Sequence, residues 1–262
     1  MTFRSESWPP GRPAWAELMV PDRFAARDFY TALFGWDYAE GGPETGFYTT
    51  ALKNGEPVAA LGEPMPGQEG TPSQWTTYLA TDEVSATVDA AQSNGATVIA
   101  PAMDVMEFGK MAVIADPTGA VVGLWQSGSH TGFNVVDEPG TVVWTEQMSR
   151  DLEAAKAFYS AVFGYTYTDM SSAQFKYVTF EIDGVTGGGL GELSAEMGET
   201  PPHWLTYFGV EDVDATTNAL VEHGGSVLKP AWDTDFGRIA VVAGPVGEVF
   251  AIIAQNAPAA EG

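Results

Sequence analysis

Two short strings hold the residues best suited to chemistry in this chain: Trp15-Ala16-Glu17 and Trp144-Thr145-Glu146. On an extended strand, alternation puts each tryptophan and its glutamate on one face. A carboxyl beside an indole sits in apolar surroundings that raise its pKa. That suits a general base, or an acceptor for a ligand hydroxyl or amine. A structural reading of Glu17 and Glu146 stands beside this one: an ion pair with Lys110 or Arg238, which recur in the matched strings Phe108-Gly109-Lys110 and Phe236-Gly237-Arg238. Both strings fall in expected hairpin loops, where Phe108 and Phe236 either gate an entrance or belong to ordinary turns.

Other chemistries find less support. Cysteine is absent, which removes disulfides, thiolate catalysis and cysteine-bound metals. Of the three histidines, His130 falls in a linker-like stretch and His223 at an expected helix end, so both read as solvent-exposed and His203 remains the one pocket candidate. No nucleotide-binding glycine pattern and no serine nucleophile elbow is present. With 35 Asp and Glu against 11 Lys and Arg, the formal charge of −24 repels phosphate backbones and anionic headgroups, so neither nucleic acid nor a membrane is an expected partner. The N-terminus lacks the order of a signal peptide and no apolar run approaches membrane-spanning length, which reads as a cytoplasmic protein.

The elements that must position these residues come twice. An offset of 129 carries Trp15 to Trp144, Glu17 to Glu146, Asp22 to Asp151, Phe29-Tyr30 to Phe158-Tyr159, Phe34-Gly35 to Phe163-Gly164, and Trp75 to Trp204. A period this long marks a duplicated domain rather than a solenoid. The expected division is one domain over 11–127, an exposed linker over 128–140 rich in Gly and Ser, and a second domain over 141–256. Asp22 and Asp151 suit N-caps, apolar residues follow at helical spacing, and Gly35 and Gly164 suit left-handed helix ends. Second helices are expected over about 83–94 and 212–223, with short strands at 46–52, 57–61, 97–99, 111–115 and 120–126 in the first copy. Each copy reads as strand, helix and three strands, performed twice.

This order, with an Asp-capped helix ending in Phe-Tyr-x-x-x-Phe-Gly and an Asp116-Pro117-Thr118-Gly119 turn into the last strand, resembles the vicinal oxygen chelate superfamily of glyoxalase I, bleomycin-resistance proteins and extradiol dioxygenases. Trp-x-Glu with Phe-Gly-[Lys/Arg] is similar to its tandem-domain glyoxalase-like members labelled hydroxylases. The resemblance implies an α+β fold of two tandem domains, each made of two βαβββ modules that curve one sheet around a cup. It also implies a divalent metal in the cup, but the ligand positions fall on Trp15, Thr76, Gly123 and near Ala59 and Ala60 in one copy. In the other they fall on Trp144, Leu205, Ala251 and 187–189. None of these residues suits zinc, iron or manganese.

With strand parity carried from those positions, the first cup is expected to hold Trp15, Glu17, Gln74, Thr76, Tyr78 and Trp125. The second is expected to hold Trp144, Glu146, His203, Leu205, Tyr207 and Ile253, and Phe108 and Phe236 stand at the rims. Trp36, Trp75 and Trp204 are assigned to core packing. The expected function is binding of a small aromatic or apolar molecule without cofactor or metal, to sequester it or convert it by Glu-assisted acid–base chemistry. An enzyme of this kind is a metal-independent lyase, isomerase or hydroxylase-like protein. The alternative is a metal-dependent lyase, isomerase or dioxygenase with displaced ligands Glu17, Glu146 and His203. Because the duplication replaces a dimer, a monomer or a loose homodimer is expected.

Overall fold

The computed structural model describes residues 2–64, 70, 72–173 and 175–256. Strands β1 (Thr2–Phe3) and β10 (Val135–Val136) form a small antiparallel pair. The first half contains β2 (Pro13–Met19), α1 (Arg23–Phe34), β3 (Asp37–Glu40), β4 (Thr49–Lys53), β5 (Glu56–Gly62), β6 (Trp75–Ala80), α2 (Val84–Ser93), β7 (Thr97–Val105), β8 (Gly109–Ala115) and β9 (Val121–Ser127). The second half repeats this as β11 (Val142–Ser149), α3 (Leu152–Phe163), β12 (Thr166–Asp169), β13 (Tyr177–Ile182), β14 (Val185–Glu192), β15 (His203–Gly209), α4 (Val213–Glu222), β16 (Ser226–Thr234), β17 (Gly237–Ala243) and β18 (Val249–Gln255).

Each half folds into one eight-stranded sheet, ordered β3-β4-β5-β2-β6-β9-β8-β7 and β12-β13-β14-β11-β15-β18-β17-β16. Both are thus pairs of βαβββ modules joined at their first strands, β2 to β6 and β11 to β15, in the expected α+β architecture of two tandem glyoxalase-like domains. The caps explain where the first helices begin and end. Asp22 accepts from the Phe24 and Ala25 amides and Asp151 from that of Ala154, while Gly35 and Gly164 close the helices at φ 66° and 71°.

The backs of the two sheets meet across a pseudo-twofold relation. Thr77 on β6 and its repeat partner Thr206 on β15 are fully buried and lie 3.3 Å apart through their hydroxyl oxygens. Two longer links cross the same boundary. Tyr30 on α1 donates to Glu248 in the β17–β18 turn at 2.9 Å, and Tyr159 on α3 donates to Asp116 in the β8–β9 turn at 3.0 Å. Trp75 and Trp204 donate in turn to those tyrosines, at 3.1 and 2.9 Å. Trp36, Trp75 and Trp204 are buried, in keeping with their assignment to the core.

The stretch read as an exposed linker is a correction. Gly128 and Ser129 are exposed, but Phe133 and Val135 are buried. The segment is strapped down by the Phe133 amide on the Ala14 carbonyl at 2.7 Å and the Asn134 amide on that of Pro57 at 3.1 Å. Its apolar side chains account for this, because Phe133 covers the face of Trp15 with ring centroids 5.4 Å apart.

Candidate functional site

On β2 the register sets Trp15 opposite Tyr78, and Glu17 opposite Thr76 on β6 and Ala60 on β5. On β11 it sets Trp144 opposite Tyr207, and Glu146 opposite Leu205 on β15 and Gly189 on β14. Tyr78 is in turn opposite Gly123 on β9, and Tyr207 opposite Ala251 on β18. Cross-strand partners share a face, so each Trp-x-Glu lies on one side of its sheet with a tyrosine and a small residue. Gly123 has to be small: a Cβ there would stand 2.2 Å from the Tyr78 ring.

The carboxyls are held by phenols. Tyr78 donates to Glu17 at 2.5 Å and Tyr48 to its other oxygen at 2.9 Å, while Trp15 Nε1 donates to the Tyr48 hydroxyl at 2.9 Å. In the second half Tyr207 donates to Glu146 at 2.5 Å, and Trp144 Nε1 donates at 2.9 Å to Tyr177, whose hydroxyl also faces Glu146. Burial pushes both glutamates above the ordinary carboxylate range, partly offset by hydrogen bonds from Tyr78 and Tyr48 at Glu17 and from Tyr207 and Tyr177 at Glu146. The four tyrosines are raised chiefly by burial, with the neighbouring carboxylate adding to it. They therefore remain neutral donors near pH 7.

The ion-pair reading of the glutamates is overturned. Lys110 pairs with Asp104 at 3.5 Å, and Arg238 pairs with Asp214 at 2.9 Å and Asp233 at 3.0 Å. The cations stand at the ends of β8 and β17, beside acidic neighbours on β7, β16 and α4. Tyr48 and Tyr177 escaped the sequence reading because strand parity was carried only from the expected ligand positions, and neither tyrosine lies on those strands. The offset of 129 does pair them, and that was the signal available.

The remaining predicted site residues divide. Thr76, Tyr78, Leu205 and Tyr207 stand in the rows just described. Trp125 is buried beside Met111 of β8, and Phe108 packs partly buried against the same cluster. Gln74 is exposed ahead of β6, and Phe236 is 57% exposed at the tip of its hairpin. His203, opposite Met148, has its Nδ1 2.8 Å from the Pro201 carbonyl oxygen, and burial lowers its pKa. His223 is exposed as expected, whereas His130 is not the free linker residue it seemed. Its ring packs edge-on against Trp15 at 4.4 Å and lies 5.4 Å from Trp125, its carbonyl accepts from Trp125 Nε1 at 3.0 Å, and its Nε2 is buried with no partner. Burial lowers its pKa to about 4.

No group of three or more His, Asp or Glu side chains among the described residues is placed to hold a metal. Glu17 and Glu146 lie on different sheets, so the displaced-ligand set of Glu17, Glu146 and His203 does not converge. The donors present do not fit the metal usual to this fold. Two clefts, of 140 and 290 Å³, lie at the junction of the halves, the smaller bordered by Trp8, Arg12, Asp137 and Trp144. No helix among the described residues is long and apolar enough to cross a membrane.

Similarity agrees with this architecture. A protein of Mycobacterium tuberculosis named "Putative glyoxylase CFP32" is 41% identical over 97% of this chain and 98% of its own length. The anthracycline biosynthesis protein DnrV of Streptomyces peucetius is 37% identical, covering 97% of each chain. Among solved structures, the Mn(II)-bound glyoxalase of Novosphingobium aromaticivorans superposes with a TM-score of 0.65 at 14% identity, covering 94% of this chain and 82% of that one. The homoprotocatechuate 2,3-dioxygenase of Brevibacterium fuscum gives 0.64 at 13% identity, covering 100% and 86%. The model of the glyoxalase/bleomycin resistance protein/dioxygenase superfamily matches residues 12–124 and again 141–252, and the chain belongs to that superfamily.

Proposed function

We propose that the protein binds a small, flat, largely apolar organic molecule in a cup that does without the family's metal, and either retains it or converts it by acid–base chemistry at glutamate. The observation that carries this reading is a carboxyl set among phenols and an indole in both halves: Trp15 to Tyr48 to Glu17 with Tyr78 as second donor, and Trp144 to Tyr177, which faces Glu146, with Tyr207 as donor. Phenol donors hold the carboxyl in place without an ion pair to it. Burial raises its pKa above the ordinary carboxylate range, the direction that makes a carboxylate a stronger base. Aromatic walls and a single polar anchor suit a flat ligand with one hydroxyl or amine. Two relatives bear names from anthracycline biosynthesis, a chemistry of flat polycyclic aromatics, which fits such a cup.

The same geometry bears on mechanism. In its ionised form Glu146 or Glu17 takes a proton from a ligand O–H or C–H, and the paired tyrosines stabilise the carboxylate before the step. The test is a pair of variants, Glu17→Gln and Glu146→Gln, with ligand binding followed by tryptophan fluorescence and any turnover followed separately. Binding retained with turnover lost supports the base. Turnover unchanged in both variants and in their combination refutes it.

A further inference from the structure

The halves are repeats, but their cups are not equivalent. The first is covered: the strap from Gly128 to Asn134 lays His130 and Phe133 on Trp15 and fixes Trp125 through the His130 carbonyl. Trp15 is consequently only 3% exposed. In the second, Trp144 and Trp232 are only partly buried, in a cluster with Leu205, Tyr207, Ile239 and Ile253. The stretch equivalent to the strap, past Asn256, lies outside the described residues.

The second cup also carries a charge that the first lacks. Register runs in one row from Lys229 on β16 through Val241 and Ala251 to Tyr207 and Trp144, so Lys229 shares the face of the Trp-x-Glu string. The equivalent row of the first sheet starts at Ala100 and passes through Val113, Gly123 and Tyr78 to Trp15. One row along, Trp232 opposite Ile239 stands where the first half has Met103 opposite Met111. The Lys229 ammonium lies 3.7 Å from the Trp232 ring centroid, and its charge acts on Glu146.

Lys229 is unusual in the whole molecule. The other ten lysine and arginine side chains each reach a carboxylate or a backbone carbonyl. Lys229 reaches neither among the described residues, although the chain offers 35 acidic residues. A cation placed on an aromatic rather than on an acid leaves its remaining N–H donors available at the mouth of the cup. In a protein of charge −24, an anionic ligand needs such a local cation to overcome the general field.

We infer that ligand binds in the second cup alone, and that it is a planar aromatic molecule bearing one ionised acid group, with its rings against Trp144 and Trp232 and its charge on Lys229. This rests on the small-molecule reading above and narrows it to one cup and one ligand class. In the first cup the strap already occupies the aromatic wall, with His130 and Phe133 on Trp15.

The test uses 5-fluorotryptophan-labelled full-length protein, followed by fluorine NMR and titrated with 2-naphthoate and with its neutral amide. The eight tryptophan signals are assigned through single Trp→Phe variants. Expected are shifts at Trp144 and Trp232 but not at Trp15 or Trp125, and a preference of about ten-fold for the carboxylate over the amide, the scale of one favourable charge contact. Lys229→Met abolishes that preference without weakening the amide, whereas Lys176→Met, removing an exposed lysine that pairs with Glu192, leaves it intact. Shifts centred on Trp15 and Trp125, equal binding of both probes, or a preference that survives Lys229→Met overturns the inference and leaves the small-molecule reading standing. No shift at any tryptophan with either probe overturns both.

Discussion

At the scale of single residues, Glu146 shows what a buried acid does when phenols rather than a paired cation hold it. Only 8% exposed and held by Tyr207 at 2.5 Å, it is favoured in its neutral form by burial and in its ionised form by its phenol donors. Removing a donor should tip that balance: Tyr207→Phe raises the Glu146 pKa further, read by carbon NMR titration of labelled glutamate, and an unchanged titration would contradict the assignment. Because the folded pKa is raised, this carboxyl's stabilising contribution is present below the ordinary glutamate value and fades as pH rises through the folded one. Glu146→Gln should accordingly gain stability relative to the parent in alkaline rather than acid solution, measured by urea denaturation at pH 5 and pH 8. His130 runs the other way. Its pKa near 4 lies below the ordinary 6.5, so the neutral ring is the form the fold accepts, and stability falls as pH drops from about 6.5 to 4. At about 1.36 kcal/mol per pH unit this reaches up to about 3 kcal/mol. His130→Phe should flatten that part of the stability profile, and an unaltered acid slope would place His130 in solvent.

Among elements, the strap and the sheet rows decide what each cup holds. Gly123 illustrates how tightly the first is filled, since Gly123→Ala sets a methyl 2.2 Å from the Tyr78 ring and should cost about 1–3 kcal/mol in chemical denaturation. Loss of less than half a kilocalorie would mean that Tyr78 has room to turn away. The module order, helix caps and shared face of Trp-x-Glu were legible in the sequence, because period, capping and alternation are local rules. The strap was not, because Gly128, Ser129 and Gly132 read as linker while the decisive contact, Phe133 on Trp15, spans more than a hundred residues. Lys229 and Trp232 were also missed. Register shifts on β16 between Val227 and Lys229, and again before Trp232, break the alternation from which a face is read.

In the whole molecule, the two halves are bound by a reciprocal exchange of polar links rather than by apolar area alone. Tyr30 reaches Glu248 and Tyr159 reaches Asp116, each tyrosine also taking an indole N–H from its own half. The repeated Phe-Tyr was legible as a helix face, but its partners were not. Glu248 and Asp116 occupy different positions in their turns, so the offset that reveals the repeat does not connect them. Such coupling predicts one cooperative unfolding transition for the full chain, with Tyr159→Phe lowering its stability by about 1–3 kcal/mol as Asp116 loses a buried donor. Two separate transitions in calorimetry would show halves that fold independently.

The central claim, a cup that binds without metal, is tested most directly by comparing 2-naphthoate affinity of chelator-stripped protein with that of protein resupplied with manganese, iron(II) or zinc, each checked by elemental mass spectrometry. The account predicts the same affinity in every sample and no stoichiometric metal after resupply and desalting. Binding that appears only with one bound metal per chain would contradict it, and would return the site to the chemistry usual for the superfamily.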